Sequence, residues 1–155
     1  MAVIGYAALA VGIFLLDLLL KNRIEKTCEE GEEKPCWKGR LLIRKYHNKG
    51  AFLDAGAGKR RVVAFLSLGL TLFMTVVFLS TFSLRGNSAL KAGLALLLGG
   101  AYSNTYDRLT RKYVVDYVSF PVKNRWFRRI VFNISDFCIM IGALLMVIGE
   151  SFKER

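Results

Sequence analysis

Asn133-Ile134-Ser135-Asp136 places an amide and a carboxylate three residues apart, near the start of an apolar run over 130–149. On a helix, positions i and i+3 share a face, so Asn133 and Asp136 point the same way. A carboxylate inside hydrocarbon costs roughly 2.5–3.5 kcal/mol on insertion scales. One reason to keep it there is structural: a cation from a neighbouring helix pairs with Asp136 and fixes the packing. The other reason is chemical and needs a second carboxylate at the same place. Two carboxylates held together share a proton, so one can activate water while the other protonates the substrate. Such hydrolysis needs no metal and no covalent nucleophile.

Three further acids are candidates for that partner: Asp17, Asp107 and Asp116. Asp17 has Lys21 at i+4, which can neutralise it within one helix while snorkelling to the interface. That favours a structural role. Asp107 has Arg108 beside it, and Asn104, Asp107 and Arg108 at i, i+3 and i+4 form one polar face. Asp116 lies in a β-branched and aromatic stretch, 113–118, which reads as extended. Spacing alone does not choose Asp116 over Asp107.

Four apolar runs must position these groups: 2–20, 62–84, 92–106 and 130–149. A helix needs about 20 apolar residues to cross the ~30 Å hydrocarbon core. The second and fourth runs meet that outright, and the third does so as a span over 88–107. With 54% apolar residues in 155, the chain is too apolar for an ordinary soluble domain. It reads as one integral membrane domain, mainly α, with four transmembrane helices and both termini on one side. The first run lacks a positive n-region and exceeds the usual length of a signal peptide's apolar core, so it reads as a retained span. Gly99, Gly100, Ala101 and Ser103 allow a helix to approach the third span closely. The second span holds no charged group and reads as a lipid-facing wall.

Between the spans, 41–47 is rich in strand formers and leads into Asn48-Lys49-Gly50, where small residues permit close backbone approach. The acidic stretch from Glu29 to Glu33 reads as a solvated turn. The basic, aromatic segment 123–129 suits the membrane interface. His47 is the only histidine and, without a nearby Ser, Cys or second His, reads as a bystander. Cys138 reads as a small core residue. Cys28 and Cys36 could join in an oxidising compartment, and as a metal site they are weak. No cofactor or metal is expected.

The net charge is +11. Residues 21–61 hold twelve Lys/Arg and 108–129 hold seven, against Arg85, Lys91, Lys153 and Arg155 on the other side. These read as basic flanks resting on anionic lipid headgroups, and nucleic-acid binding is not expected. By the positive-inside rule the two long loops would be cytoplasmic.

The blocks LDLLLK (16–21), HNKGAF (47–52), GGAYSNTYDR (99–108), VVD (114–116) and FNISD (132–136) occur in one order across nearly the whole chain. Together they resemble the bacterial lipoprotein signal peptidase (signal peptidase II) family. The resemblance implies four transmembrane helices, a small extramembrane β-cradle and an interfacial segment. It also implies an intramembrane aspartic endopeptidase that removes the signal peptide from diacylglyceryl-modified prolipoproteins. Asp116 and Asp136 would be the catalytic dyad. Asn48, Asn104, Arg108 and Asn133 would support it or contact substrate, while Asp17, Lys21 and Asp107 would be structural or brace the site from behind. The family commonly shows one more alanine after Gly50, Leu and Gly where Tyr102 and Ser103 stand, and Ala in place of Ser135. The resemblance puts both termini in the cytoplasm and the dyad near the outer face, opposite to the Lys/Arg count. Several polar motifs in order outweigh a charge bias, so the outer placement is expected. Two other classes compete with the protease. A membrane adaptor would tolerate Asp→Asn at Asp116 or Asp136, and an ion-conducting protein would string its acids along a path through the bilayer.

Overall fold

A computed structural model describes residues 2–50, 57–83 and 86–151. Ala51 and Phe52 of the HNKGAF block, and Arg85, Lys153 and Arg155 of the charge count, lie outside the described residues. Four long helices dominate: α1 (Ala2–Thr27), α2 (Arg60–Ser80), α3 (Ser88–Thr110) and, at the end, α5 (Ile134–Ser151). Three strands, β1 (Glu33–Cys36), β2 (Leu41–Asn48) and β3 (Val114–Ser119), lie between them, with a single-turn α4 (Arg125–Arg128) before α5.

Two helical stretches, Val3–Thr27 and Arg60–Ser83, are long and apolar enough to cross a bilayer, and Ile134–Gly149 is a shorter apolar helix. The expected wall is seen in α2: Phe65, Leu66, Leu70 and Phe73 are exposed, while Ala64, Thr71 and Phe78 turn inward. Its partner α3 is the central helix, with α1, α2 and α5 packed around it. Leu94, Ala95 and Leu98 of α3 join Phe78 in the apolar core.

Glycine sets the closeness of that packing. A Cβ on Gly99 would stand 2.7 Å from the Ala10 carbonyl oxygen, and one on Gly93 would stand 2.6 Å from that of Gly142. A Cβ on Gly100 would run into the Ser135 carbonyl oxygen. Helix α3 therefore touches the backbone of α1 on one side and of α5 on the other. The small residues read from the sequence are used where they were expected.

The sheet is antiparallel, in the order β1-β2-β3, with Tyr46 opposite Asp116 and Asn48 opposite Val114. Strand β1 replaces part of the solvated turn expected around Glu33. Helix α5 begins at Ile134, four residues later than the expected span. Phe132 is instead extended and exchanges backbone hydrogen bonds with Val118 of β3 at 2.7 Å each way. The last helix thus starts at the edge of the sheet. Helix α1 runs seven residues past its apolar run, and its polar end supports β2 through Glu25, which meets Lys45 and His47. The cysteines Cys28, Cys36 and Cys138 are free thiols, buried, exposed and half-buried in that order.

Candidate active site

Local chemistry decides where α5 begins. The Asn133 side chain accepts a hydrogen bond from the Asp136 backbone N–H (2.9 Å), and the Asp136 carboxylate accepts one from the Asn133 backbone N–H (3.0 Å). This is a reciprocal capping box built from Asn and Asp. It fixes Asp136 in the first turn and leaves its second oxygen free to turn inward. There Asp136 Oδ1 accepts Asn104 Nδ2 of α3 at 2.9 Å.

Asp116 sits in the middle of β3 and is 2% exposed. Asn133 Nδ2 donates to its Oδ1 at 2.6 Å and Asn48 Nδ2 to its Oδ2 at 3.1 Å. Asn133 also donates to Asn104 Oδ1 at 3.2 Å. Three asparagines, from β2, α3 and the cap of α5, thus hold two carboxylates from β3 and α5. Both carboxylates line one cavity of about 200 Å³, together with Asn48, Asn104, Arg108 and Ile139. Burial first, and then the charge of Asp136, push the Asp116 carboxyl up to about 8 despite its two amide donors. Near neutral pH, Asp116 therefore holds a proton.

Behind this pair lies a second polar cluster, and Lys21 is its centre. Lys21 and Asp17 are both fully buried, so the lysine does not snorkel to the interface. Its Nζ lies 2.8 Å from Asp17 Oδ2, 3.2 Å from Asp107 Oδ2, 3.0 Å from Ser103 Oγ and 2.9 Å from Asn104 Oδ1. Those partners explain the burial, because an ammonium so surrounded gains nothing by reaching for water. Asp107 meets Lys21 and also Arg111, whose Nε is 2.8 Å away. Its partners are these two cations, where the sequence had offered Arg108. Arg108 instead lines the dyad cavity. The Asp107 carboxylate also accepts the Val115 backbone N–H at 3.1 Å, anchoring β3 one residue before Asp116.

Four groups that were not among the expected site residues complete the cluster. Ser103 and Ser135 donate to Asp17 Oδ2 at 2.6 and 2.5 Å, and the Tyr117 hydroxyl donates to Asp17 Oδ1 at 2.8 Å. Arg111 adds the outer cation on Asp107. Burial, and next the Asp17 charge, push the Tyr117 phenol up, so it stays a donor. A signal was available for two of them. Ser103 and Ser135 stand where the resembled family commonly has Gly and Ala, and both hydroxyls converge on one carboxylate. His47 does not line the dyad cavity, although its neighbours Tyr46 and Asn48 do: its ring nitrogens face Glu25 and Glu30, each at 2.8 Å. Among the described residues, no cluster of three or more His, Cys, Asp or Glu side chains is arranged to hold a metal ion.

Chemically, the site offers a protonated Asp116 beside a second carboxyl, Asp136, in one small cavity that the Arg108 guanidinium also lines. Residues 9–152 match the family model described as signal peptidase (SPase) II. A lipoprotein signal peptidase of Ralstonia nicotianae is 38% identical, over 97% of this chain and 86% of its own length. One from Cupriavidus pinatubonensis is 31% identical, over 97% and 84%. A bacterial membrane enzyme solved by the in meso method at 1.9 Å superposes with a TM-score of 0.76 at 25% identity, covering 93% of this chain and 90% of that one. A second such structure, at 2.3 Å, gives a TM-score of 0.81 at 24% identity, over 97% and 89%, and attests the fold.

Proposed function

The chain belongs to the signal peptidase II family and cleaves signal peptides from lipoprotein precursors, and we propose that it does so as an aspartic endopeptidase with Asp116 and Asp136 as its dyad. One observation carries this reading: two carboxylates, Asp116 buried and Asp136 half-buried, line one small cavity, each held by asparagine amides. Asp136, holding two donors, is the base. It takes a proton from water as the water oxygen bonds to the scissile carbonyl carbon. Asp116 gives its proton to the carbonyl oxygen. The tetrahedral species then collapses: the C–N bond breaks, the amine leaves with the proton gathered by Asp136, and the carbonyl oxygen returns its proton to Asp116. Arg108 and Asn104, which line the cavity with the dyad, meet the substrate backbone. Asn48 and Asn133 orient the dyad, and Asp17, Lys21 and Asp107 brace it from behind.

The substrate in this proposal is a prolipoprotein whose cysteine already carries diacylglyceryl. An apolar groove of about 340 Å³ supports this, because it runs between α2 and α3 past Leu70, Met74 and Leu97 and shares Asn104 and Asp136 with the dyad cavity. Acyl chains can lie there while the peptide reaches the carboxylates. Membrane lipids surround the protein and nucleic acid is no partner. The dyad faces the outer side of the cell membrane. Cleavage of a diacylglyceryl-modified precursor by purified protein tests the reading against Asp116→Asn and Asp136→Asn. Turnover by either variant at a tenth of the wild-type rate would remove its residue from the dyad.

A further inference from the structure

Away from the dyad, a notch of about 370 Å³ opens between the first turn of α2 and the end of α3. Arg60 and Arg61 line it from α2, and Arg108 and Lys112 from the other side, with Phe65 and Leu109 as apolar walls. A neighbouring hollow of about 480 Å³ shares Arg60 and Arg61 and adds Lys59. Among the described residues, no carboxylate lines either space. Lys112 Nζ donates to the Leu109 carbonyl oxygen, which keeps its ammonium on the rim. Arg61 of α2 and Lys112 beyond the end of α3 bring positive charge to the notch from two separate elements, and an anion placed between them is attracted by both.

The surroundings select the kind of anion. Arg60, Arg61 and Lys112 are exposed, so they form an accessible rim. Directly along α2 from that rim, Phe65, Leu66 and Leu70 are also exposed, on a helix apolar enough to span a bilayer. The notch is therefore cationic at the headgroup level and apolar one turn deeper. We propose that it binds the phosphate of an anionic phospholipid, with the acyl chains lying along the outer face of α2. A free phosphate would satisfy the cations and leave the apolar wall unused. Arg108 lines both this notch and the dyad cavity, so the bound lipid stands beside the cleavage site. This goes beyond the proteolytic reading and does not depend on it.

The test uses the purified full chain in micelles containing equal phosphatidylglycerol and phosphatidylcholine, with retained lipid counted by native mass spectrometry. Wild-type protein is expected to enrich phosphatidylglycerol. At about 1 kcal/mol per surface cation, the double variant Arg61→Gln/Lys112→Gln should lose about ten- to thirty-fold of that preference. Arg61→Lys should keep most of it, and Arg61→Gln alone gives an intermediate result should the double variant fold poorly. Inorganic phosphate at about 10 mM should leave the enrichment unchanged. Equal retention of the two lipids by wild type, or unchanged enrichment in the Gln variants, overturns the proposal. Displacement of the lipid by inorganic phosphate would make the notch a phosphate site and overturns the lipid assignment.

Discussion

Asp116 and Asp136 are few atoms in a large apolar chain, and the function proposed for the protein rests on their protonation. If they act as a unit, Asp116→Asn and Asp136→Asn should each reduce turnover about a thousand-fold or more, and the double variant should be no worse than either single one. The pH profile follows from the raised value of Asp116. As its proton leaves near pH 8, the general acid is lost and activity should fall on the alkaline side. The same proton enters stability. The folded state keeps a proton on Asp116 that an unfolded chain releases above its ordinary value of 3.8. Its contribution is therefore complete below that value and is lost as pH rises toward about 8. Asp116→Asn cannot ionise, so its unfolding midpoint should gain on wild type between about pH 4 and pH 8. A midpoint difference independent of pH would contradict the shift. Asp17 behaves differently, because it accepts four donors and contacts no atom of the dyad. Breaking so buried a pair costs about 3–5 kcal/mol. Asp17→Asn should therefore lower thermal stability markedly while turnover per folded molecule stays within a few-fold. The acids themselves were legible in the sequence. Their partners were legible only in part: Asp17 with Lys21 follows from i, i+4 spacing, but Asp107 with Lys21 crosses between helices.

At the scale of elements, long apolar runs and small-residue stripes announced the helices, because bilayer length and close packing leave direct marks on composition. The ends of the helices were harder to read. Ile130 and Val131 are apolar and buried, so composition assigns them to the last span, yet a hydrogen bond from Phe132 to β3 keeps that segment extended. Strand β1 was hidden for the opposite reason: Glu33-Lys34-Pro35-Cys36 is exposed and carries no apolar alternation, and it is held to β2 by backbone pairing and the Glu33–Arg44 ion pair. The glycine contacts make a prediction that separates packing from propensity. A Cβ on Gly142 would stand 2.5 Å from Gly93 O and 2.8 Å from Leu97 N, both backbone atoms that can move only with α3. Gly142→Ala should therefore destabilise by about 1–3 kcal/mol through overpacking. Gly69 lies on the open face of α2 with nothing within 4 Å of an added Cβ. Gly69→Ala should be neutral or stabilising by up to about 1 kcal/mol. Thermal unfolding of the two variants in one detergent checks this, and equal effects would mean that α3 and α5 do not meet as closely as described.

For the whole molecule, the open issue raised by the sequence is which way it sits in the membrane. The C-terminal ends of α1 and α3 and the start of α5 lie at the sheet end with the dyad, which puts residues 2 and 151 at the opposite end. Orientation is thus one choice, and any reporter on the sheet decides it for the site as well. The Lys/Arg count treats 21–61 as free loop charge, but much of it belongs to folded structure. Lys21 is buried against Asp17 and Asp107; Lys34, Arg44 and Lys45 pair with Glu32, Glu33 and Glu25. Cations absorbed by a folded cradle are a weaker guide to sidedness than unstructured flanks. Cys36 supplies the reporter, because it is exposed on β1 while Cys28 is buried at the end of α1. With the dyad outward, a membrane-impermeant maleimide should label intact spheroplasts at once, without prior reduction. Cys36→Ser should remove most of that label, since the buried thiol reacts slowly. Labelling that appears only after permeabilisation would place the sheet and the dyad in the cytoplasm. The positive-inside rule would then hold for this chain, and the lipid-modified substrate would have to be presented from the inner face.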